Sequence, residues 1–184
     1  AIVLSGSSLN MSQSIEASSI SKDIMALLLF DDLPCLGVCF GMQLMSVVYG
    51  GEVERLEVER DGFQELTVDH HKHTLLRPPK CSAFFHHQDV VTRPPPDFVV
   101  DAFCVDGTIA SIRCDAKRRY GVQFHPEKSD GSAHEVLQRF LMVAHHDQIP
   151  VSHDVSISRT AWGRIGLAVG GRSVPRIARD EHIS

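Results

Sequence analysis

Residues 34 to 45 read PCLGVCFGMQLM, with Cys39 two positions from Gly37 and two from Gly41. An apolar run of strand character meets a helical pattern at that cysteine. Strand, Gly-x-Cys-x-Gly, helix is the layout of a nucleophile elbow, whose tight turn demands small flanking residues. The side chain then projects from the end of a central strand, where open α/β sheets bind ligands. A helix beginning near Phe40 would aim its dipole and free N–H groups at the sulfur, favouring thiolate over thiol. The Phe40 N–H would also face an oxyanion formed on attack at the substrate. The plainer alternative is a buried cysteine that only packs, with the glycines as turn punctuation.

A nucleophilic cysteine needs a base, usually histidine, held by a third group. Eleven histidines are available. His125 is singled out by its setting in GVQFHPEK. Pro126 biases His125 toward extended backbone. In an extended chain residues i and i+2 point to the same side. Glu127 can then reach the His125 ring and set its tautomer. The plainer alternative is a surface histidine beside a salt-bridging glutamate.

These groups need a frame, and the pattern along the chain supplies one. AIVLSG and PCLGV are short apolar runs bounded by Ser, Gly and Pro, which predict buried strands. Ile20, Ile24, Leu27 and Leu28 predict a helix from about Ser12 to Phe30. FGMQLMSVVY predicts a second helix, stopped by Gly50-Gly51. Strand, helix, strand, helix is the rhythm of an α/β fold with a parallel sheet. From Glu52 to Asp69 charged and apolar residues alternate, as in half-exposed strands. Asp106-Gly107 between apolar runs predicts a hairpin. RRYGVQF is a further strand leading into His125. Ser132 and Glu135 form a capping-box pattern ahead of a helix with the apolar stripe Val136, Leu137, Phe140, Leu141 and Ala144. Beyond about Gln148 periodicity is lost, and the Gly/Arg-rich residues 148–184 read as a tail, linker or docking segment.

Composition narrows the classes. The chain has 184 residues, 43% hydrophobic and 22% charged, enough for one domain with a core. A net charge of −5 argues against a general nucleic-acid binder. No apolar stretch nears the ~20 residues of a membrane span. Five cysteines without framework spacing point to a reducing, cytoplasmic setting rather than a disulfide scaffold. His70, His71 and His73 lack the carboxylate or cysteine partners of a metal site, so no metal is expected.

Three segments together resemble class I glutamine amidotransferases: SGS at Ser5–Ser7, GVCFGMQ at Gly37–Gln43 and GVQFHPE at Gly121–Glu127. The resemblance covers roughly residues 1–145, and the domain it implies is residues 1–147. GMQ and the H-x-D spacing of His87 and Asp89 are similar to the GMP synthetase glutaminase, and FHPEKS to that of imidazole-glycerol-phosphate synthase. The resemblance implies a flavodoxin-like α/β fold: an open, mostly parallel sheet with helices on both faces, plus a small antiparallel strand extension. It implies Cys39 as nucleophile, His125 as general base and acid, and Glu127 as its orienting partner. Oxyanion donors would come from Phe40 and the Gly6-Ser7 loop. Gln43, Phe85 and His86 would contact the glutamine substrate.

The implied reaction is hydrolysis of the glutamine side-chain amide through a cysteine thioester, without cofactor. The ammonia would pass to a synthetase subunit or fused domain. Two departures stand out. Ser7 and Ser8 occupy positions where the family has glycine and proline, so Ser7 would be strained if the loop required positive φ. The family's strand–helix units ahead of this point are not in the chain, which implies a smaller sheet or a chain without its first residues. A γ-glutamyl peptide hydrolase of the same fold and a degenerate, non-catalytic regulatory module are the alternatives.

Overall fold

Continuous apolar runs along short strands point apolar side chains to both sides, so helices must cover both faces of a sheet. The computed structural model describes residues 1–13, 17–69, 75–77 and 80–146. His70, His71, His73 and residues 148–184 lie outside the described residues. The elements are β1 (Ile2–Leu4), α1 (Ala17–Leu29), β2 (Cys35–Val38), α2 (Phe40–Val48), β3 (Glu52–Val68), β4 (Lys80–Arg93), β5 (Val99–Cys104), β6 (Ile109–Cys114), β7 (Arg119–Val122), a 3-10 turn at Pro126–Lys128, α3 (Gly131–His134) and α4 (Val136–His146). None of the described helices is long and apolar enough to cross a membrane.

The seven strands form one sheet in the order β1-β2-β7-β6-β5-β3-β4. β1, β2 and β7 run parallel; the β7–β6, β6–β5, β5–β3 and β3–β4 pairs are antiparallel. The α/β, flavodoxin-like class holds. The balance differs from expectation, because the antiparallel part is larger than a small extension. β3 and β4 are long strands joined as a pair, β3 also pairs with β5, and Asp106-Gly107 turns β5 back onto β6 as the sequence predicts. Gly107 sits at φ 84° and the Thr108 N–H donates to Asp106 Oδ1 at 3.1 Å.

The two faces carry two cores. On one, Leu27 of α1 and Phe40, Met42, Leu44 and Met45 of α2 pack against Leu4, Cys35, Ile112 and Cys114. On the other, Val136 and Phe140 of α4 pack against Leu36, Val38, Tyr120, Val122 and Phe124. Cys35 and Leu36, adjacent in β2, belong to opposite faces, as the period of 2 requires. Burying one Leu or Phe fully contributes about 2 kcal/mol, so these faces dominate the hold on the helices. Arg119, 1% exposed, adds a polar tie: its guanidinium donates to Leu27 O and Phe30 O at the end of α1, and to Leu33 O.

The capping box does not form at Ser132. Ser132 lies inside α3, whose N-cap is Asp130. Glu135 instead pairs with Arg139, one turn on.

Candidate active site

Three parallel strands lie side by side, so the loops after β1, β2 and β7 leave the sheet at one end. That end receives Gly6, Cys39 and His125. Cys39 has φ 52° and ψ −109°, a conformation that costs a non-glycine residue about 1–3 kcal/mol. Its N–H donates to Val122 O at 2.8 Å, locking the elbow to β7. The flanking glycines are required by contact distance. A Cβ on Gly37 would lie 2.6 Å from the Gly41 carbonyl, and one on Gly41 would lie 2.2 Å from Leu4 O. The elbow is thus wedged between its own helix and β1.

His125 is extended, at φ −98° and ψ 98°. Its N–H donates to Phe84 O at 2.8 Å, and Ser129 Oγ donates to its carbonyl at 2.7 Å. Its Nδ1 lies 2.8 Å from Glu127 Oε1. The space beside the Gly6 Cα is bounded by His125 Cε1 and Cys39 Cβ: a Cβ there would lie 3.1 Å and 3.7 Å from them. The ring and the cysteine, 86 positions apart in the chain, therefore face the same glycine.

A cavity of about 340 Å³ opens beside Cys39, within the usual size of small-molecule sites. Phe40, Gln43, Ser7 and His86 are on its wall, as are Arg55, Glu59 and Asp89. Gln43 is buried and donates to Asp89 O at 2.7 Å. His86 is half exposed, with Nδ1 3.3 Å from Asp61 Oδ1. Phe85 can offer a substrate its main chain alone. Its ring is fully buried between His87 and Phe124, because alternation along β4 turns it to the core, and its side chain is not part of the cavity wall. Ser7 is not among the non-glycine residues with positive φ, which are Cys39, Asp97 and Arg118 among the described residues. The strain anticipated there is absent.

Gln123 escapes the sequence reading. It is 1% exposed, and its Nε2 lies 3.7 Å from Cys39 Sγ. Its signal was a lone amide between apolar Val122 and Phe124. Arg55 and Glu59 escaped as well, since an alternating strand offers no sign of which charged residue meets a cavity.

The electrostatics of the sulfur also differ from expectation. Burial pushes the Cys39 thiol up to about 11, although the Phe40 N–H, the Gln123 amide and Lys128 pull down; the Glu127 carboxylate pushes up as well. Desolvation outweighs the helix terminus, so burial works against the thiolate that the turn by itself would favour. Burial pushes the His87 imidazole down to about 4, against the pull of its bond to Asp89 O. No group of three or more His, Cys, Asp or Glu among the described residues is arranged to hold a metal.

The family model for glutamine amidotransferase class-I matches residues 1–144. The chain belongs to the class-I glutamine amidotransferases. Among similar proteins, the GMP synthase [glutamine-hydrolyzing] of Limosilactobacillus reuteri is 39% identical over 111 residues, covering 59% of this chain and 22% of that one. The same enzyme of Thermus thermophilus is 37% identical over 115 residues, covering 61% and 22%. The chain spans about a fifth of the length of these curated relatives. Among solved structures, a GMP synthase-type protein of Thermoplasma acidophilum superposes with a TM-score of 0.63 at 20% identity, covering 78% of this chain and 72% of that one. A glutamine amido transferase of Methylobacillus flagellatus gives 0.56 at 17%, covering 74% and 54%. These superpositions share the amidotransferase fold.

Proposed function

We propose that this amidotransferase domain hydrolyses the side-chain amide of glutamine at Cys39 and supplies the ammonia to a synthetase subunit or domain. The observation that carries the reading is the convergence of the strained Cys39 elbow and the Glu127-held His125 ring on Gly6.

Glu127 occupies Nδ1 of His125, leaving Nε2 to exchange protons. His125 takes the thiol proton as the sulfur attacks the carboxamide carbon. Burial raises the Cys39 thiol, which favours making this transfer together with the attack. The tetrahedral oxyanion meets the Phe40 N–H and the Gly6-Ser7 main chain. The C–N bond then breaks, and His125 returns the proton to the departing ammonia. Water attacks the thioester carbon while His125 takes its proton; the C–S bond breaks, and glutamate and the thiol are restored. Arg55 and Glu59 supply opposite charges on the cavity wall for the α-carboxylate and α-ammonium of the amino acid. The synthetase is inferred from the GMP synthases to which the chain is similar.

The test is covalent labelling with 6-diazo-5-oxonorleucine, a glutamine-like electrophile, read by intact mass, beside glutamate release from glutamine. Labelling of the wild type but not of Cys39→Ala, with glutamine turnover, supports the reading. Faster turnover of γ-glutamyl peptides than of glutamine would point to a peptidase. No labelling at all would point to a regulatory module.

A further inference from the structure

The segment after β1 is tied to β4 by one pair of residues 77 positions apart. The Ser12 N–H donates to Asp89 Oδ2 at 2.8 Å and the Ser12 hydroxyl to Asp89 Oδ1 at 2.7 Å. Arg55 Nη1 adds a longer bond to Oδ1, 3.4 Å. The Asp89 side chain is 2% exposed. Hydrogen bonds to an ionised acceptor are stronger than neutral ones, and losing a partner leaves a buried carboxylate undersatisfied. Between β1 and this tie, Gly6 faces Cys39 and His125, and Ser7, Ser8, Leu9 and Asn10 line the cavity. The Asp89 carbonyl oxygen meanwhile accepts from Gln43 and His87. One residue of β4 thus holds the strap with its side chain and the cavity floor with its main chain.

We propose that Ser12 and Asp89 form a latch that keeps the 5–12 strap closed over Cys39, which makes both positioning residues; their effect on turnover rests on the glutaminase reading above. Ser12 is not on the cavity wall. It acts by fixing the strap whose main chain would meet the oxyanion.

Ser12→Ala, Ser12→Thr and Asp89→Asn are compared with the wild type by hydrogen exchange of peptides covering residues 5–13 and by glutamine kinetics. Ser12→Ala and Asp89→Asn should speed exchange in that segment about tenfold, as expected for losing a charge-assisted bond. The kcat should fall about tenfold while KM stays within about twofold, because the interaction lost is one made in the transition state. Ser12→Thr, which keeps the hydroxyl, should restore both. Unchanged exchange in Ser12→Ala, an exposed position unlike Asp89, overturns the latch. Faster exchange with unchanged kcat overturns the positioning role. Faster exchange in a chain whose wild type neither turns over glutamine nor takes the electrophile upholds the latch and fails the glutaminase reading instead.

Discussion

His125 Nδ1 lies 2.8 Å from Glu127 Oε1, across the single proline that separates the two residues. Pro126 begins the 3-10 turn, which brings the carboxylate back beneath the ring. Glu127 is half exposed, whereas the His125 side chain is 14% exposed. The geometry suits orientation: in the proposed reaction the carboxylate would select the tautomer, and the partly buried ring would do the proton transfer.

Glu127→Gln should cost less turnover than Cys39→Ala. Removing an orienting carboxylate in a comparable triad costs about 10⁴-fold, and removing the nucleophile about 10⁶-fold. Steady-state glutamate release by the two variants checks this. Equal losses would remove Glu127 from its orienting role.

Gly41→Ala should unfold the elbow. The added methyl would meet Leu4 O at 2.2 Å, a backbone atom that cannot swing aside as a side chain can. A loss of about 3 kcal/mol or more is expected from such overpacking, measured as the urea midpoint. Cys39→Gly should do the reverse, raising stability by about 1 kcal/mol through relief of the φ 52° strain while abolishing turnover.

Alkylation of Cys39 by iodoacetamide should keep accelerating beyond pH 9, because the buried thiol is pushed up to about 11 and only thiolate reacts. The rate is followed by intact mass from pH 6 to 10.5, with Cys39→Ala subtracting the other cysteines. A plateau near neutral pH would reveal a preformed thiolate–imidazolium pair instead.

Acid should loosen the domain between pH 6.5 and 4. His87 titrates near 6.5 when unfolded and near 4 when folded, so the unfolded chain binds the extra proton in that interval. The stabilisation is complete above pH 6.5 and is lost as pH falls toward 4, on the order of 3 kcal/mol in total. Thermal melts of the wild type and His87→Gln across the interval test this. The variant should show the shallower dependence, and parallel curves would assign the acid loss to other groups.

Much of the site was legible locally. Glycine at positions 37 and 41 and proline at 126 constrain only a few residues of backbone, and such constraints are written where they act. The hairpin at Asp106-Gly107 and the strand–helix passage at Cys39 are of the same kind. The inward turn of Phe85 was not legible, because a strand with polar and apolar residues on both sides does not declare which face meets the core. Nor was the extent of the antiparallel sheet, which depends on β3 finding both β4 and β5.

Sequence by itself determined the elbow, the His-Pro-Glu unit and the family, since each rests on residue types within a few positions of one another. Tertiary structure alone decided that Ser12 meets Asp89, that Gln123 touches the sulfur, and that burial pushes the cysteine thiol up. Hydrogen bonds between distant segments and the removal of water from a side chain both depend on what packs around a residue, and packing is a property of the whole folded domain.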